Sequence, residues 1–477
     1  MSSKTGRIIS VLITLFWLAT ISILVTRNYN WGDGASHHGA SPPRHMFEPQ
    51  WMGIYQADRK IGHSMTLFNS VDGGYSLRES VSMHLGVMGQ DKSLGMDTQA
   101  LLDAHFLLRS FDFTMDSDVK MKISGEVKDN TLHIVIASAS GKEERDIKLK
   151  ERPYMGLPSV SALTDELKVG SKIAMPVLDP GTLTQGAVEF EVIGEETVQA
   201  MGQSMRALKL AGTMVGMDVT AWVTTEGEVL REESMGYVFV REPEAMAKSG
   251  IVGPSDLITD NAVPFDLPIK SGVTFLKLRI SGVDMQGLAL DGGSQRLDGD
   301  VLTIRKPNLP NLPIYEATGG ADYLQDELFI ESRDPRIVKL AGQITRGERD
   351  HVKKARMIND WVYRNINKKM TLSVPRATDV LMDRQGDCNE HTVLYVALAR
   401  AAGVPSRIIV GLVHKDGYFY YHAWPEVYLN SWIPADPTFG QFPADASHIR
   451  LLTGGLDQQA TLLRVIKKIR LEGIEAR

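Results

Sequence analysis

The sequence predicts an α+β protein with an N-terminal transmembrane helix, and three observations support this fold class. An uncharged apolar stretch occupies residues 8–26. Between Trp51 and Arg241, short runs of β-branched and aromatic residues alternate with turn signals, a pattern typical of antiparallel strands. After Pro335 the apolar residues recur at helical spacing, which indicates that a different domain follows.

The apolar stretch at residues 8–26 is long enough to cross most of a hydrocarbon layer about 30 Å thick. Lys4 and Arg7 precede it, so the positive-inside rule keeps the short N-terminus in the cytoplasm. A cleaved signal peptide is the alternative, but the stretch is longer than usual for such peptides, and no A-x-A-like site precedes Arg27. We therefore expect a single-pass inner-membrane protein whose bulk faces the periplasm or the exterior.

Composition limits the classes of protein to which this chain can belong. The 477 residues are 43% hydrophobic, which is enough for about three packed domains. The 52 Lys and Arg residues are interspersed with 58 Asp and Glu residues, with no basic stripe to neutralise a phosphate backbone. We therefore expect globular domains and no nucleic-acid partner.

Changes in pattern divide the chain into five segments. The first two are a cytoplasmic tip with the membrane anchor at 1–27 and a linker at 28–48 that is rich in Gly, Ser and Pro. The others are a β-rich envelope domain at 49–245, a linker with a small β segment at 246–320, and a C-terminal domain at 321–477. We interpret the β-rich domain as one strongly curved or sandwich-like antiparallel sheet, and residues 462–477 as an amphipathic surface helix.

Cys388 is the only cysteine in the chain, which excludes a disulfide framework and sites with several thiolate ligands. A lone thiol is either inert or used in chemistry. An apolar-periodic helix runs from Asn389 to Ala402, and Asp387 with Glu390 forms a capping-box pattern that makes Cys388 the first helical residue. The free N–H groups and the helix dipole at this position favour a thiolate and can face an oxyanion.

His422 is the candidate base for this thiol, because a cysteine nucleophile needs a group that takes its proton and later protonates the leaving group. Asp436 is the candidate carboxylate that orients the imidazole. The two residues lie at unequal distances from the turn at 430–431, so a simple hairpin does not place them opposite each other. We expect a bulge or a wider loop at Pro425 and Pro434 to correct this offset.

Four segments of the C-terminal region resemble the transglutaminase-like superfamily, which is related to papain: GDCNEHT, LARAAGVPSRIIVG, HAWPEVYL and WIPADPT. The resemblance covers about residues 325–450. It implies a nucleophile helix packed on an antiparallel sheet, and acyl transfer through a thioester. It further implies that Cys388 is the nucleophile, His422 the base and acid, and Asp436 the orienting carboxylate.

The β-rich region also resembles a known class, through the segments GIYQADRKIG and AWVTTEGEVLREE. It is similar to lipoprotein-carrier-like envelope domains, which implies a site for a lipid or an extended peptide. A purely structural role of this domain is an equal alternative, since fold does not determine function.

Metal binding is the other chemistry that Cys388 could support, because it forms a C-x-x-H pair with His391 that His414 or His422 could extend. This pair lacks a recognisable second half, so we expect no metal and no cofactor. Trp424 is a candidate substrate-binding residue, and packing within the sheet is its alternative role.

These observations predict an extracytoplasmic cysteine enzyme that acts on amide bonds of a protein or peptide through a thioester. It would be a protease or amidase, or it would transfer the acyl group to an amine. The alternative is a non-catalytic envelope module for binding or assembly, in which the C-terminal domain is only a scaffold.

Overall fold

The computed structural model describes residues 44–87, 89–155, 167–215, 217–253, 256–309, 320–455, 462 and 465–477. The predicted transmembrane helix and most of the predicted linker lie outside the described residues. Within the described ranges, no helix is long and apolar enough to cross a membrane. Strands predominate and the main helices lie between Pro335 and Ala401, so the predicted β-rich region with a mixed C-terminal region is confirmed.

The secondary structure elements are numbered in chain order. The strands are Gln50–Gln56 (β1), Arg59–Val71 (β2), Gly74–Val87 (β3), Gln90–Asp103 (β4), Leu108–Asp116 (β5), Met121–Lys128 (β6), Thr131–Ser138 (β7), Gly141–Lys148 (β8), Lys172–Leu178 (β9), Gln185–Ala200 (β10), Gln203–Met214 (β11), Met217–Val223 (β12), Val229–Ser234 (β13), Tyr237–Arg241 (β14), Val263–Pro264 (β15), Phe275–Ser281 (β16), Gln295–Asp298 (β17), Val301–Arg305 (β18), Asn367–Lys368 (β19), Gln385–Gly386 (β20), Ser406–Lys415 (β21), Tyr418–Tyr428 (β22), Trp432–Pro434 (β23), His448–Thr453 (β24) and Arg470–Ala476 (β25). The helices are Glu244–Ala247 (α1), Leu257–Asp260 (α2), Pro335–Thr345 (α3), His351–Asn365 (α4), Ala377–Asp383 (α5) and Cys388–Ala401 (α6).

The β-rich region forms one 14-stranded sheet in the order β8-β7-β6-β5-β4-β3-β2-β1-β14-β13-β12-β11-β10-β9. Two antiparallel meanders, β1 to β8 and β9 to β14, are joined by the pairing of β1 with β14. Alternate side chains of β5, namely Phe111, Phe113 and Met115, are buried in a core on one face. The region is therefore one continuous sheet rather than two separate sheets.

The C-terminal strand β25 corrects the prediction of an amphipathic helix at 462–477. Residues 470–476 form a strand that pairs with β16 and completes a four-stranded sheet in the order β17-β18-β16-β25. Gly473 opposes helix formation, and its missing side chain allows close packing, since a Cβ there would lie 2.4 Å from that of Leu267. The small β segment at 246–320 therefore shares a sheet with the chain end, while the predicted domain boundaries stay predictions.

The C-terminal region packs helices α3 to α6 beside a sheet in the order β15-β22-β21-β24, with β23 on β22. Asp334 caps α3 ahead of a proline at the first helical position, and Asp350 caps α4. Helix α6 is buried along nearly all of its length, from Glu390 to Arg400. This burial anchors the helix that carries Cys388 in the centre of the C-terminal region.

A buried ion pair connects the C-terminal region to the large sheet. Arg376, which is 2% exposed, contacts Glu331 and also Glu143 of β8, the latter at 2.7 Å. Burial is the largest influence on Glu331 and raises its pKa to about 7, although Arg376 opposes this shift. The guanidinium therefore compensates a carboxyl group that would otherwise be buried without an opposite charge.

Replacement of Arg376 by Ala should lower the free energy of unfolding by about 3–5 kcal/mol, because it leaves Glu331 buried without its partner. Urea denaturation followed by tryptophan fluorescence measures this change. The exposed Arg333, two residues after Glu331, provides the control, and Arg333→Ala should alter stability by no more than about 0.5 kcal/mol. Equal effects of the two replacements would contradict a stabilising role for the buried pair.

Candidate active site

The N-terminus of α6 has the capping box that the sequence predicts. The Asp387 side chain accepts a hydrogen bond from the Asn389 N–H at 2.8 Å, and Glu390 accepts one from the Asp387 N–H at 2.8 Å. Cys388 is the first residue of the helix, as expected. The first four N–H groups of a helix have no partner within it, and three of them, those of Asn389, Glu390 and His391, are bonded to Asp387. The fourth, the Cys388 N–H, can therefore face an oxyanion.

The nucleophile helix docks on β22 through the backbone of Ala423, the residue after His422. The Thr392 hydroxyl donates to the Ala423 carbonyl oxygen at 3.1 Å. A hydrogen bond from the Ala423 backbone also stabilises the Cys388 thiolate. The carbonyl oxygen and the N–H group of Ala423 therefore both bind side chains of α6. These contacts place Cys388 beside Ala423, which directly follows His422.

His422 and Asp436 lie in direct contact, with 2.8 Å between His422 Nε2 and Asp436 Oδ2. The expected bulge or wider loop at Pro425 and Pro434 is wrong, because β22 and β23 pair without a register shift from Tyr428 opposite Trp432 to Glu426 opposite Pro434. A regular register continued beyond β23 brings Asp436 diagonally next to His422 rather than opposite it. Diagonal neighbours on one face are within reach of an aromatic ring such as that of His422, so the regular hairpin is sufficient.

Asp436 is completely buried and accepts four hydrogen bonds. The backbone N–H groups of Thr438 and Phe439 donate to Oδ1 at 2.8 and 2.9 Å. His422 and His448 both contact Oδ2, at 2.8 and 3.0 Å. Burial alone would raise the pKa of Asp436, but the two histidines hold it well below its usual range. Asp436 is therefore an ionised carboxylate in the interior.

His448 is a member of this cluster that the sequence analysis missed. It is 3% exposed at the start of β24, and its Nδ1 lies 3.2 Å from the carbonyl oxygen of Asp445. Burial disfavours the charged imidazole, but Asp436 and Asp445 together raise the pKa of His448 to about 9. Its strand is separated from β22 by β21, so no local spacing in the sequence could indicate the contact.

The histidine rings are held by aromatic packing around Gly411, the cross-strand partner of His422. A Cβ at Gly411 would lie 2.8 Å from the Trp424 ring and 2.1 Å from a backbone oxygen, so only glycine leaves room for this tryptophan. Trp424 is 1% exposed, stacks near the His422 ring and meets the His448 ring edge-on. Trp424 therefore packs against both histidine rings in the protein interior. Its role in substrate binding stays a prediction.

Cys388 is partly exposed as a residue, but its sulfur is enclosed by protein, and these surroundings oppose the predicted lowering of the thiol pKa. Burial of its reactive atom in protein, followed by the carboxyl groups of Asp387, Glu390 and Asp436, raises the pKa of Cys388 well above its ordinary value. The hydrogen bond from Ala423 opposes this shift without cancelling it. The resting thiol is therefore protonated at neutral pH and needs a base to become a nucleophile.

A metal ion is the alternative occupant of the cluster, since ligand atoms of His422, Asp436 and His448 lie within 4.8 Å of one another. A histidine ligand must be neutral and offer a free nitrogen. His448 does not fit, because both of its ring nitrogens face oxygen acceptors. In the other predicted pair, His391 is fully buried and its Nδ1 lies 2.7 Å from the Asp387 carbonyl oxygen, so it serves the helix start.

Comparison with known families identifies the class of domain that this geometry defines. The family described as "Transglutaminase-like superfamily" matches residues 338–437. The matched range includes Cys388, His422 and Asp436. The chain therefore contains a transglutaminase-like domain, which confirms the resemblance found in the sequence. No curated protein matches the sequence at a significant level.

Several solved structures share distant similarity with this chain. A protein from Cytophaga hutchinsonii, provisionally described as a cysteine protease, is 17% identical over 43% of this chain and 85% of its own, with a TM-score of 0.28. The periplasmic domain of TgpA from Pseudomonas aeruginosa, bound to ethylmercury, is 19% identical over 38% and 84%, with a TM-score of 0.25. A β-barrel-like protein from Brucella abortus, of a domain family of unknown function, is 11% identical over 40% and 93%, with a TM-score of 0.31.

Alkylation of Cys388 by iodoacetamide should accelerate steadily as the pH rises from about 6 to about 9, because the raised pKa keeps the thiol protonated near neutrality. The reaction reports on one site, since Cys388 is the only cysteine, and Cys388→Ser should give no labelling. A cysteine in a short unstructured peptide is the reference and should reach its half-maximal rate at lower pH. A rate that stays constant down to about pH 5 would instead indicate a preformed thiolate.

Proposed function

We propose that this protein is an extracytoplasmic cysteine enzyme that acts on amide bonds of a protein or peptide through a thioester at Cys388. The observation that carries the proposal is the buried contact of 2.8 Å between His422 Nε2 and Asp436 Oδ2. The next residue, Ala423, binds the nucleophile helix through its backbone. A thiol, a histidine and a carboxylate that orients the histidine are the groups needed for nucleophilic catalysis.

The first chemical step follows from the roles of the two imidazole nitrogens. Nε2 of His422 donates to Asp436, which makes Nδ1 the basic nitrogen of the ring. Nδ1 takes the proton of the Cys388 thiol while the sulfur forms a bond to the carbonyl carbon of the substrate. The negative charge moves to the carbonyl oxygen, where the Cys388 N–H can donate a hydrogen bond.

The second step breaks the amide bond. The imidazolium of His422 gives its proton to the leaving nitrogen, the C–N bond breaks, and the acyl group remains on sulfur as a thioester. Water or an amine then attacks the thioester, His422 takes the proton of this nucleophile, and the C–S bond breaks. Return of that proton to sulfur restores the thiol, so no oxidant or metal is consumed.

A protein or peptide is the substrate class that the surroundings of the thiol favour. Cys388 is partly exposed, and Phe439, which is 44% exposed, stacks on the His422 ring at 4.9 Å. An aromatic surface beside the acid that protonates the leaving group suits an apolar residue on that side of the scissile bond. The charge-free stretch at 8–26 supports a membrane anchor, and a lipid or peptide site on the large sheet remains an expectation.

The thioester is the intermediate that distinguishes an enzyme from a binding module. Wild-type protein should be incubated with dimethylcasein, quenched in acid, and analysed by intact mass and by peptide mapping. We expect a hydroxylamine-sensitive acyl adduct on Cys388, and release of peptides or incorporation of dansylcadaverine in parallel reactions without the quench. His422→Gln should reduce the rate of adduct formation by roughly 10²–10⁴-fold, because it removes the general base.

Matched controls separate catalysis from damage to the fold. Cys388→Ser should abolish the adduct while the protein keeps its circular dichroism spectrum. His133→Gln removes a histidine from an exposed His–Asp contact of 2.8 Å on the large sheet, and it should leave the adduct unchanged. Absence of any adduct, together with an unchanged cellular phenotype of the Cys388→Ser strain, would favour the envelope binding or assembly module instead.

A further inference from the structure

Asp436 binds two histidines through one oxygen atom, and a Cys-His-Asp site requires only one of them. His422 and His448 approach Oδ2 from β22 and β24 at 2.8 and 3.0 Å. The other oxygen of Asp436 is already bonded to two backbone N–H groups. The second imidazole is therefore placed to influence the carboxylate that orients the candidate base.

The surroundings of His448 determine its charge. Nε2 faces the Asp436 carboxylate, and Nδ1 faces the backbone carbonyl oxygen of Asp445 at 3.2 Å and its Oδ1 at 3.4 Å. A carbonyl or carboxylate oxygen accepts hydrogen bonds, so both ring nitrogens carry a proton. His448 is therefore an imidazolium, and it is 3% exposed.

Asp445 is itself held in place by a network of donors. The Ser447 N–H donates to Oδ1 at 3.0 Å, and Gln441 and the Gly272 N–H donate to Oδ2, both at 3.1 Å. Gly272 belongs to the segment that precedes the small sheet, so that segment also supports the site. This network leaves His448 little freedom to turn away from Asp436.

We propose that His448 is a positively charged positioning residue that fixes the Asp436 carboxylate and balances its charge, so that His422 remains a neutral base. This inference rests on the proposed function, because it assigns His448 a role in the same reaction. A lone buried carboxylate would favour a permanently protonated His422, which could not accept the thiol proton. With His448 sharing the same oxygen, the pair of Asp436 and His448 has no net charge.

The charged and titratable groups that face His448 are Asp436 from beyond β23, Asp445 from before β24, and His422 from β22. Arg450, two residues further along β24, pairs with Glu426 at 2.9 Å. The raised pKa of His448, about 9, agrees with the charge that the hydrogen bonds require, although burial opposes it. As the pH rises through this value, the stabilising contribution of the charged ring is lost.

The charge of His448 can be measured directly in the full-length protein. Nitrogen-15 labelling of the histidines and a long-range proton–nitrogen correlation spectrum distinguish imidazolium from neutral imidazole, and His448→Gln identifies the His448 signals. At pH 7 both ring nitrogens of His448 should be in the imidazolium range, with deprotonation near pH 9. A neutral His448 at pH 7 would overturn the proposal.

The effect on His422 is tested with His448→Gln, which keeps a donor near Asp436 but removes the charge. The ring nitrogens of His422 should then move toward the imidazolium range at a fixed pH, because the charge of Asp436 is no longer balanced. His133→Gln is the matched control and should leave the His422 signals unchanged. A merely structural role for His448 would lower the melting temperature without this shift, and such a result would contradict the proposal.

The outcomes separate this inference from the proposed function. If His448→Gln leaves the His422 titration unmoved while the hydroxylamine-sensitive adduct on Cys388 still forms, the role of His448 is refuted and the enzyme stands. If wild-type protein forms no adduct although His448 is charged and its replacement moves His422, the charge balance is correct and the proposed reaction is not.

Discussion

The buried carboxylate of Asp436 is the constraint on which the candidate site depends. An ionised group without solvent must be compensated by donors and opposite charge, since an uncompensated buried charge costs several kcal/mol. The protein meets this need with two backbone N–H groups on one oxygen and two histidines on the other. The positions of β22, β24 and the turn after β23 are therefore coupled through one side chain.

The thiol is positioned by a second, independent interaction. The edge of β22 offers the backbone of Ala423 to α6, and the helix docks there through Thr392 and Cys388. The same helix start carries the carboxyl groups of Asp387 and Glu390, which cap it well but disfavour a thiolate. Stability of the helix and acidity of the thiol thus oppose each other, which makes a neutral, correctly oriented His422 more important to the proposed reaction.

Two sets of contacts connect the candidate site to regions outside the transglutaminase-like domain. On one side, Gly272 donates to Asp445 behind His448, close to the sheet that β25 completes. On the other, Arg376 joins Glu331 to Glu143 of the large sheet, shortly before α5 and the nucleophile helix in the chain. The β-rich regions therefore brace the candidate active site, in addition to any binding role that they have.

Local chemistry in the sequence was sufficient to determine the α+β class, the β-rich region, the capped helix with Cys388 at its first position, and the choice of His422 and Asp436 as candidates. The fold class, the β-rich region and the helix cap depend on neighbours within a few residues, whereas the two candidates were chosen from the segments that resemble the transglutaminase-like superfamily. The tertiary structure alone decided the diagonal contact between His422 and Asp436, the approach of His448 from across β21, and the pairing of residues 470–476 with β16. These depend on strand register and on contacts between distant segments, and local periodicity cannot specify which strands become neighbours.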